Sequence, residues 1–357
     1  MATSRTTSTR RGLSRACTMI TLVALSGVGA TTNSPAPDPA GRTATAPDFD
    51  RGITKESVRE WTIEYRSHTG AMRAASIVLP AWYGPDNNPV LPVVISPHGR
   101  AGTGRSNAKY FGNMPAFGRF ALISPDGMGR RLKNFSYGAP GQIDDLAKMP
   151  DFAKRALPWL RLDRARVFAI GSSMGGQETL LLVARHPRLL AGAAALDSVT
   201  DLTRRYRQMT QLPCPSRCLQ KWGKPYGTVL QSTLGREVGG SPAEKPGRYA
   251  ARSGMSQARK LAFAQVPLQI WWSAEDVIVF DQEHQSQALF DKLRRLNPCA
   301  SVSAYAGNWA HSREMRPDAL LPIALKGFGL LPSRVQPLPA SVHHTAAAPC
   351  SAAKDTL

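Results

Sequence analysis

Acidic residues are scarce in this chain of 357 residues: 25 Asp and Glu stand against 45 Lys and Arg, for a formal charge of +20. Lysine is scarce too, with 12 against 33 arginines. The excess bears on partners and solubility and leaves the fold open. No basic block is interleaved with aromatics, and no Arg-rich helix is long enough to read a groove, so specific nucleic-acid binding is not expected. A generally basic surface, with loose association with anionic wall polymers, is. Five cysteines are too few for a small disulfide scaffold. No apolar run reaches the roughly 20 residues of a membrane span, and no internal repeat is visible. The chain does not lack core-forming side chains. Its 42% hydrophobic content excludes disorder and allows one large domain or two ordinary ones.

The N-terminus carries Arg5, Arg10, Arg11 and Arg15 without an acid, then a weakly apolar run from Ala16 to Ala30 that ends in small residues. This layout predicts a signal peptide over 1–30, and hence a secreted, extracellular or cell-envelope protein. Arg10-Arg11 fits twin-arginine export, and an ordinary export signal fits as well. Cys17 would leave with the signal. Cys214, Cys218, Cys299 and Cys350 remain, an even number for an oxidising compartment. Pro213 and Pro215 crowd a tight loop that favours Cys214–Cys218, which leaves Cys299–Cys350 to pin the tail. A zinc site is the weaker alternative, since Cys-x3-Cys has no second metal-spaced pair nearby.

Residues 31–52 read as a Pro- and Thr-rich linker. Two strands, 58–67 and 72–81, form a hairpin through His68-Thr69-Gly70. Short apolar runs follow at Val93–Ser96, Phe120–Ser124, Val167–Gly171, Ala193–Leu196, Leu268–Trp272 and Val302–Tyr305. They fit strands buried on both faces of a mostly parallel sheet. Helical patterns lie between them at Ile143–Leu160, interrupted by Pro150, and at Gln177–Arg185 and His284–Leu296. The alternation predicts an α/β fold with helices on both faces. The main domain spans 53–331, 200–263 is an inserted cap within it, and 332–357 is a Pro/Ala-rich tail.

The strongest chemical signal is Gly171-Ser172-Ser173-Met174-Gly175, placed after a strand and before a helix. That context is the nucleophile elbow. Only Ser173 has glycine two residues away on both sides, so Ser173 is the predicted nucleophile. The Met174 N–H, at the helix N-terminus, is the first oxyanion donor. A serine hydroxyl needs a base. His311, late in the chain, fits the order Ser, acid, His. Asp276, just past an apolar strand, is the favoured acid, and Asp197 at the end of the preceding strand is its rival. Glu275 should point elsewhere. The second oxyanion donor is read in Pro97-His98-Gly99-Arg100-Ala101-Gly102 as the Arg100 N–H, with Ala101 next and His98 bracing the loop. The Arg100 guanidinium could also meet an anionic substrate group. Trp222, Tyr226 and Trp271 or Trp272 are placed either at the mouth or in the core.

Together these segments, across 90–331, resemble the α/β-hydrolase superfamily, nearest to the catalytic domain of prolyl oligopeptidase-type serine peptidases. Gly-x-Ser-x-Gly-Gly is met at 171–176, Val199-Thr200-Asp201 follows the next strand, and Tyr249 and Ser253 precede the acid strand. The resemblance implies a Ser173, Asp276, His311 triad and an acyl-enzyme route on an ester or peptide substrate. It implies no metal or organic cofactor. Trp272-Ser273 stand where the family has His-Gly, Gly254 replaces a proline, and Arg100-Ala101 replace Gly-Pro. There is no room for the family's N-terminal propeller. A secreted carboxylesterase of the polyester- or feruloyl-cleaving kind has the same layout. An acyltransferase with the same triad and a non-catalytic wall-binding relative stay open as other classes.

Overall fold

The computed structural model describes residues 57–127, 135–212, 226–316 and 319–347. The predicted signal and linker, Cys214, Cys218, Cys350 and Trp222 lie outside the described residues. No helix among the described residues is long and apolar enough to cross a membrane.

The centre is a nine-stranded sheet: β1 (Val58–Arg66), β2 (Met72–Pro80), β3 (Leu91–Ile95), β4 (Ala121–Pro125), β5 (Leu162–Ser172), β6 (Gly192–Leu196), β7 (Leu268–Ser273), β8 (Val302–Gly307) and β9 (His343–Thr345). Their spatial order is β1-β2-β4-β3-β5-β6-β7-β8-β9. β1 and β2 form the antiparallel hairpin, with Val58 opposite Pro80. The pairings from β4 to β8 are all parallel.

Side-chain alternation builds one core on each face. On β3, Val93 and Ile95 join the larger core and Val94 the other. On β5, Val167 and Ala169 point one way, Phe168 and Ile170 the other. Because both faces are covered, β3, β4, β6 and β7 are buried throughout, which is why they read as unbroken apolar runs. The first face is packed by the helices Pro140–Ala147, Met149–Ala156, Met174–Arg185 and Ser286–Leu296. The second is packed by Met114–Gly118 and Leu321–Gly327.

Three features differ from the sequence reading. The single helical pattern over 143–160 is two helices that meet at Lys148, with Pro150 in the first turn of the second. Proline has no N–H to donate and is tolerated only there. β5 begins at Leu162 rather than Val167, because its charged Asp163-Arg164-Ala165-Arg166 half is largely exposed. The stretch read as a tail contributes β9, paired antiparallel to β8 with His344 opposite Tyr305. Its His-His-Thr sequence carries no apolar alternation, and its hold is backbone pairing plus a stack of His344 on Tyr305 at 4.4 Å.

Within 200–263 the described helices are Leu202–Gln208, Tyr226–Val238, Pro246–Ala250 and Ala258–Ala262. They bury a third apolar cluster, with Leu202, Leu230, Leu234 and Tyr249, against Met174 and Val279. The Val199-Thr200-Asp201 segment anchors this region. Gln285 Oε1 accepts from the Thr200 and Asp201 N–H groups, and Asp201 caps the helix that follows. Ser253 Oγ accepts the Leu202 N–H and donates to Tyr249 O.

Candidate active site

The site lies where β3, β5, β6, β7 and β8 end, at the carboxyl edge where open α/β sheets place their ligands. β5 passes into the helix Met174–Arg185 through Ser173, at φ 60° and ψ −122°. A non-glycine residue in that region is strained and needs support. The Ser173 N–H donates to Leu196 O at 2.9 Å, and Ser173 O accepts the Gln177 N–H at 3.0 Å. The flanking glycines are obligatory. A Cβ at Gly171 would lie 2.5 Å from Gly175 O, and one at Gly175 would lie 2.2 Å from Pro97 O. Met174, as the first helical residue, has an N–H with no acceptor within the helix.

β8 delivers His311. Its Nδ1 is 2.8 Å from Asp276 Oδ2. Asp276 is 2% exposed. Its other oxygen accepts the Ile278 and Val279 N–H groups at 2.8 and 2.9 Å, and Gln282 Nε2 reaches Oδ2 at 3.4 Å. Burial pushes this carboxyl up, but the hydrogen bond and charge of His311 and the two backbone N–H groups outweigh it. The net shift is downward. An ionised Asp276 accepting Nδ1–H leaves Nε2 as the basic nitrogen. Glu275 is exposed and turned away.

Asp197, the rival acid, is beside this pair but differently employed. It is fully buried, at φ 42°, with Oδ1 accepting the Ser273 N–H and Oδ2 accepting the Trp309 Nε1–H. Burial, the charges of Glu314 and Asp276, and a hydrogen bond with Glu314 drive its carboxyl well above the usual range. Glu314 is also fully buried, takes the Ser172 hydroxyl at 2.6 Å, and is pushed up by burial. The two acids thus hold a proton between them, with Asp197 the stronger holder. Ser273 Oγ clasps the His311 loop, donating to Trp309 O at 2.6 Å and accepting its N–H at 2.7 Å. Ser273 therefore has a structural role. The sequence reading did not single out Glu314 or Trp309; both lie within three residues of His311, the only signal that pointed to them. Asp197, Asp276 and His311 bring donor atoms within 4.8 Å of one another, as metal ligands would. Their atoms are already engaged in these hydrogen bonds, and a protonated Asp197 is a poor ligand.

Opposite the elbow, the turn after β3 holds His98-Gly99-Arg100-Ala101. His98 is 2% exposed and bonds through Nδ1 to Gly99 O, while Nε2 accepts the Gly127 N–H. Burial lowers its pKa, so it is a neutral brace. Gly99 O also accepts the Gly102 N–H at 3.1 Å. The Arg100 and Ala101 N–H groups have no protein acceptor among the described residues. Ser173, His311, His98, Arg100, Ile278 and Met315 share the lining of one cavity of about 270 Å³. Trp271 stacks on Tyr305 at 3.8 Å and Trp272 packs near Phe290, so both belong to the core. Tyr226 lies at the site, its ring under the Arg100 guanidinium at 5.4 Å.

No protein-family model matches this sequence, and no curated protein does. Solved structures do match its fold. An S-formylglutathione hydrolase of Staphylococcus aureus aligns with a TM-score of 0.53 and 17% identity, over 76% of this chain and 99% of that one. An acylaminoacyl peptidase of Pyrococcus horikoshii aligns with a TM-score of 0.53 and 14% identity, over 78% of this chain and 41% of that one. This chain thus spans less than half of the peptidase. An esterase of Pyrococcus furiosus aligns at 0.51 and 14% identity, over 82% of this chain and 96% of that one. With the strand order above, these alignments give the chain the α/β-hydrolase fold.

Proposed function

We propose that this protein is a serine hydrolase that cleaves an ester or amide bond through an acyl-enzyme. The observation that carries the reading is Ser173 on a strained elbow, in one cavity with His311, whose Nδ1 is held by Asp276 at 2.8 Å. His311 Nε2 takes the Ser173 hydroxyl proton as Oγ attacks the carbonyl carbon. The Met174 and Arg100 N–H groups receive the oxyanion. His311 then protonates the leaving group, and the acyl-enzyme forms. Water, deprotonated by His311, attacks the ester in turn and frees Ser173. Within this reading the motifs resemble those of prolyl oligopeptidase-type peptidases, and a carboxylesterase is the alternative. The small cavity favours a compact group at the reacting carbonyl.

We also propose export through the 1–30 signal, with loose association with anionic wall polymers, and disulfides Cys214–Cys218 and Cys299–Cys350. Non-reducing peptide mapping of the mature protein checks the pairings.

Fluorophosphonate labelling tests the catalytic reading, because an activated serine attacks the phosphorus of these probes, displaces fluoride and is left phosphonylated. Labelling of the mature protein that disappears in Ser173→Ala is expected. p-Nitrophenyl esters and peptide anilides then separate esterase from peptidase. Absence of labelling in a folded sample would overturn the reading and favour a binding protein that uses the basic surface.

A further inference from the structure

We propose that the site selects substrates carrying a carboxylate near the scissile bond, with the Arg100 guanidinium as the group that receives it. The inference rests on the serine-hydrolase reading and names its substrate class. The cavity around Ser173 is lined by no Asp or Glu among the described residues, and Arg100 is its one permanently charged side chain. The guanidinium sits over the Tyr226 ring at 5.4 Å and pairs with no acid among the described residues. Arginine placed over an aromatic face is pre-oriented and presents a planar fork of N–H donors that fits a carboxylate.

A second observation lies behind it. Arg205 is 4% exposed, its guanidinium is 5.9 Å from the Phe280 ring, and its Nη1 has no hydrogen-bond partner. The Tyr137 hydroxyl is likewise buried and without a partner. Tyr137, Tyr226 and Phe280 belong to one apolar cluster with Met174, the neighbour of the nucleophile. Two guanidiniums therefore lie against aromatic rings of the cluster that includes Met174. Burial, with the Arg100 charge adding to it, lowers the pKa of Arg205 to about 10, against the opposing pulls of Tyr137 and Asp276. It stays charged at neutral pH.

The nearby acids do not cancel this field. Asp276 is committed to His311. Asp281 is held by Arg204, Gln208 and His284. Glu237 is buried and does not line the cavity. Arg205 is a buried cation and Arg100 a partly buried one beside it, and a substrate carboxylate at Arg100 lowers the cost of holding both charges there.

The test compares charged and neutral substrates of matched size. The acyl arm uses monoethyl adipate against ethyl heptanoate, followed by pH-stat. The leaving-group arm uses 4-acetoxybenzoate against 4-methylphenyl acetate. In one arm kcat/KM should favour the anionic ester by about tenfold or more, as expected for a charge-assisted contact. That arm identifies which side carries the carboxylate. Arg100→Gln should bring the ratio near unity, Arg100→Lys should restore part of it, and Arg205→Met should lower it. A ratio at or below one in both arms, or one that Arg100→Gln leaves unchanged, overturns the proposal. Binding separates this failure from failure of the hydrolase reading. In Ser173→Ala, calorimetry with monoethyl adipate and ethyl heptanoate reads the site without turnover. If the wild type turns over neither ester, monoethyl adipate binding that Arg100→Gln abolishes still supports the proposal, and equal or absent binding of both refutes it.

Discussion

Glu178 lies on the helix that begins at the elbow, one turn beyond Met174, and is fully buried with Ser136, Gln142 and Arg252 around it. Burial raises its carboxyl to about 8, against the opposing pulls of Gln142 and Arg252. In the unfolded chain the same group titrates near 4.5. Between those values the folded state binds a proton that the unfolded state has released, so stability falls as pH rises. Each pH unit in that window costs about 1.4 kcal/mol. The cost is under about 1 kcal/mol at pH 5, about 3 kcal/mol at pH 7, and levels off near 5 kcal/mol above pH 8. Glu178→Gln keeps the shape and an oxygen that accepts from Ser136 while removing the titration. In urea unfolding, the variant should match the wild type at pH 5 and gain on it steadily to pH 8. A gap that does not grow with pH, or a variant less stable throughout, would refute the reasoning. The residue also bears on the site: kept neutral, Glu178 sets no negative charge beneath the helix end that faces the oxyanion.

Asp276→Asn should leave the fold intact and lower kcat by about 10⁴, because the amide no longer fixes the His311 tautomer; steady-state ester hydrolysis with circular dichroism checks both halves. Glu314→Gln keeps an oxygen for the Ser172 hydroxyl and removes a carboxyl that burial raises to about 7, so the variant should gain stability on the wild type as pH rises from about 5 to about 7. Thermal unfolding across that range reads the gap, and a gap that does not grow with pH would count against it. Gly175→Ala forces its Cβ to 2.2 Å from a backbone carbonyl that cannot swing away. The expected cost is about 3 kcal/mol or more, with loss of fluorophosphonate labelling, read by thermal unfolding and gel fluorescence.

The parallel strands were legible because burial on both faces writes an unbroken apolar run, and the elbow because its turn tolerates only glycine at two offsets. Neither device marks β9, whose three exposed residues are held mainly by backbone pairing to β8, with the His344 ring stacked on Tyr305. Nor does either mark the charged first half of β5. The signals that were readable are those in which side-chain chemistry is forced by burial or sterics. Where the backbone alone makes the structure, almost any residue will serve.

The choice between Asp197 and Asp276 shows the same limit at the site. Both close an apolar strand, both are buried, and both come near His311. Spacing ranks them without separating them. What separates them is the company each oxygen keeps. Asp276 receives two backbone N–H groups and the His311 Nδ1, all of which favour the charged form. Asp197 receives one backbone N–H and an indole, and faces two other acids. In the same small volume, one carboxyl is driven down and the other up. The ionised one can steady an imidazolium. The protonated one braces the loop that carries the histidine, through Trp309, without adding a second negative charge beside the first. Two acids at the ends of neighbouring strands thereby take different parts: burial, with the charges of Glu314 and Asp276, raises Asp197, and Glu314 reaches it from the His311 loop, 117 positions further along the chain.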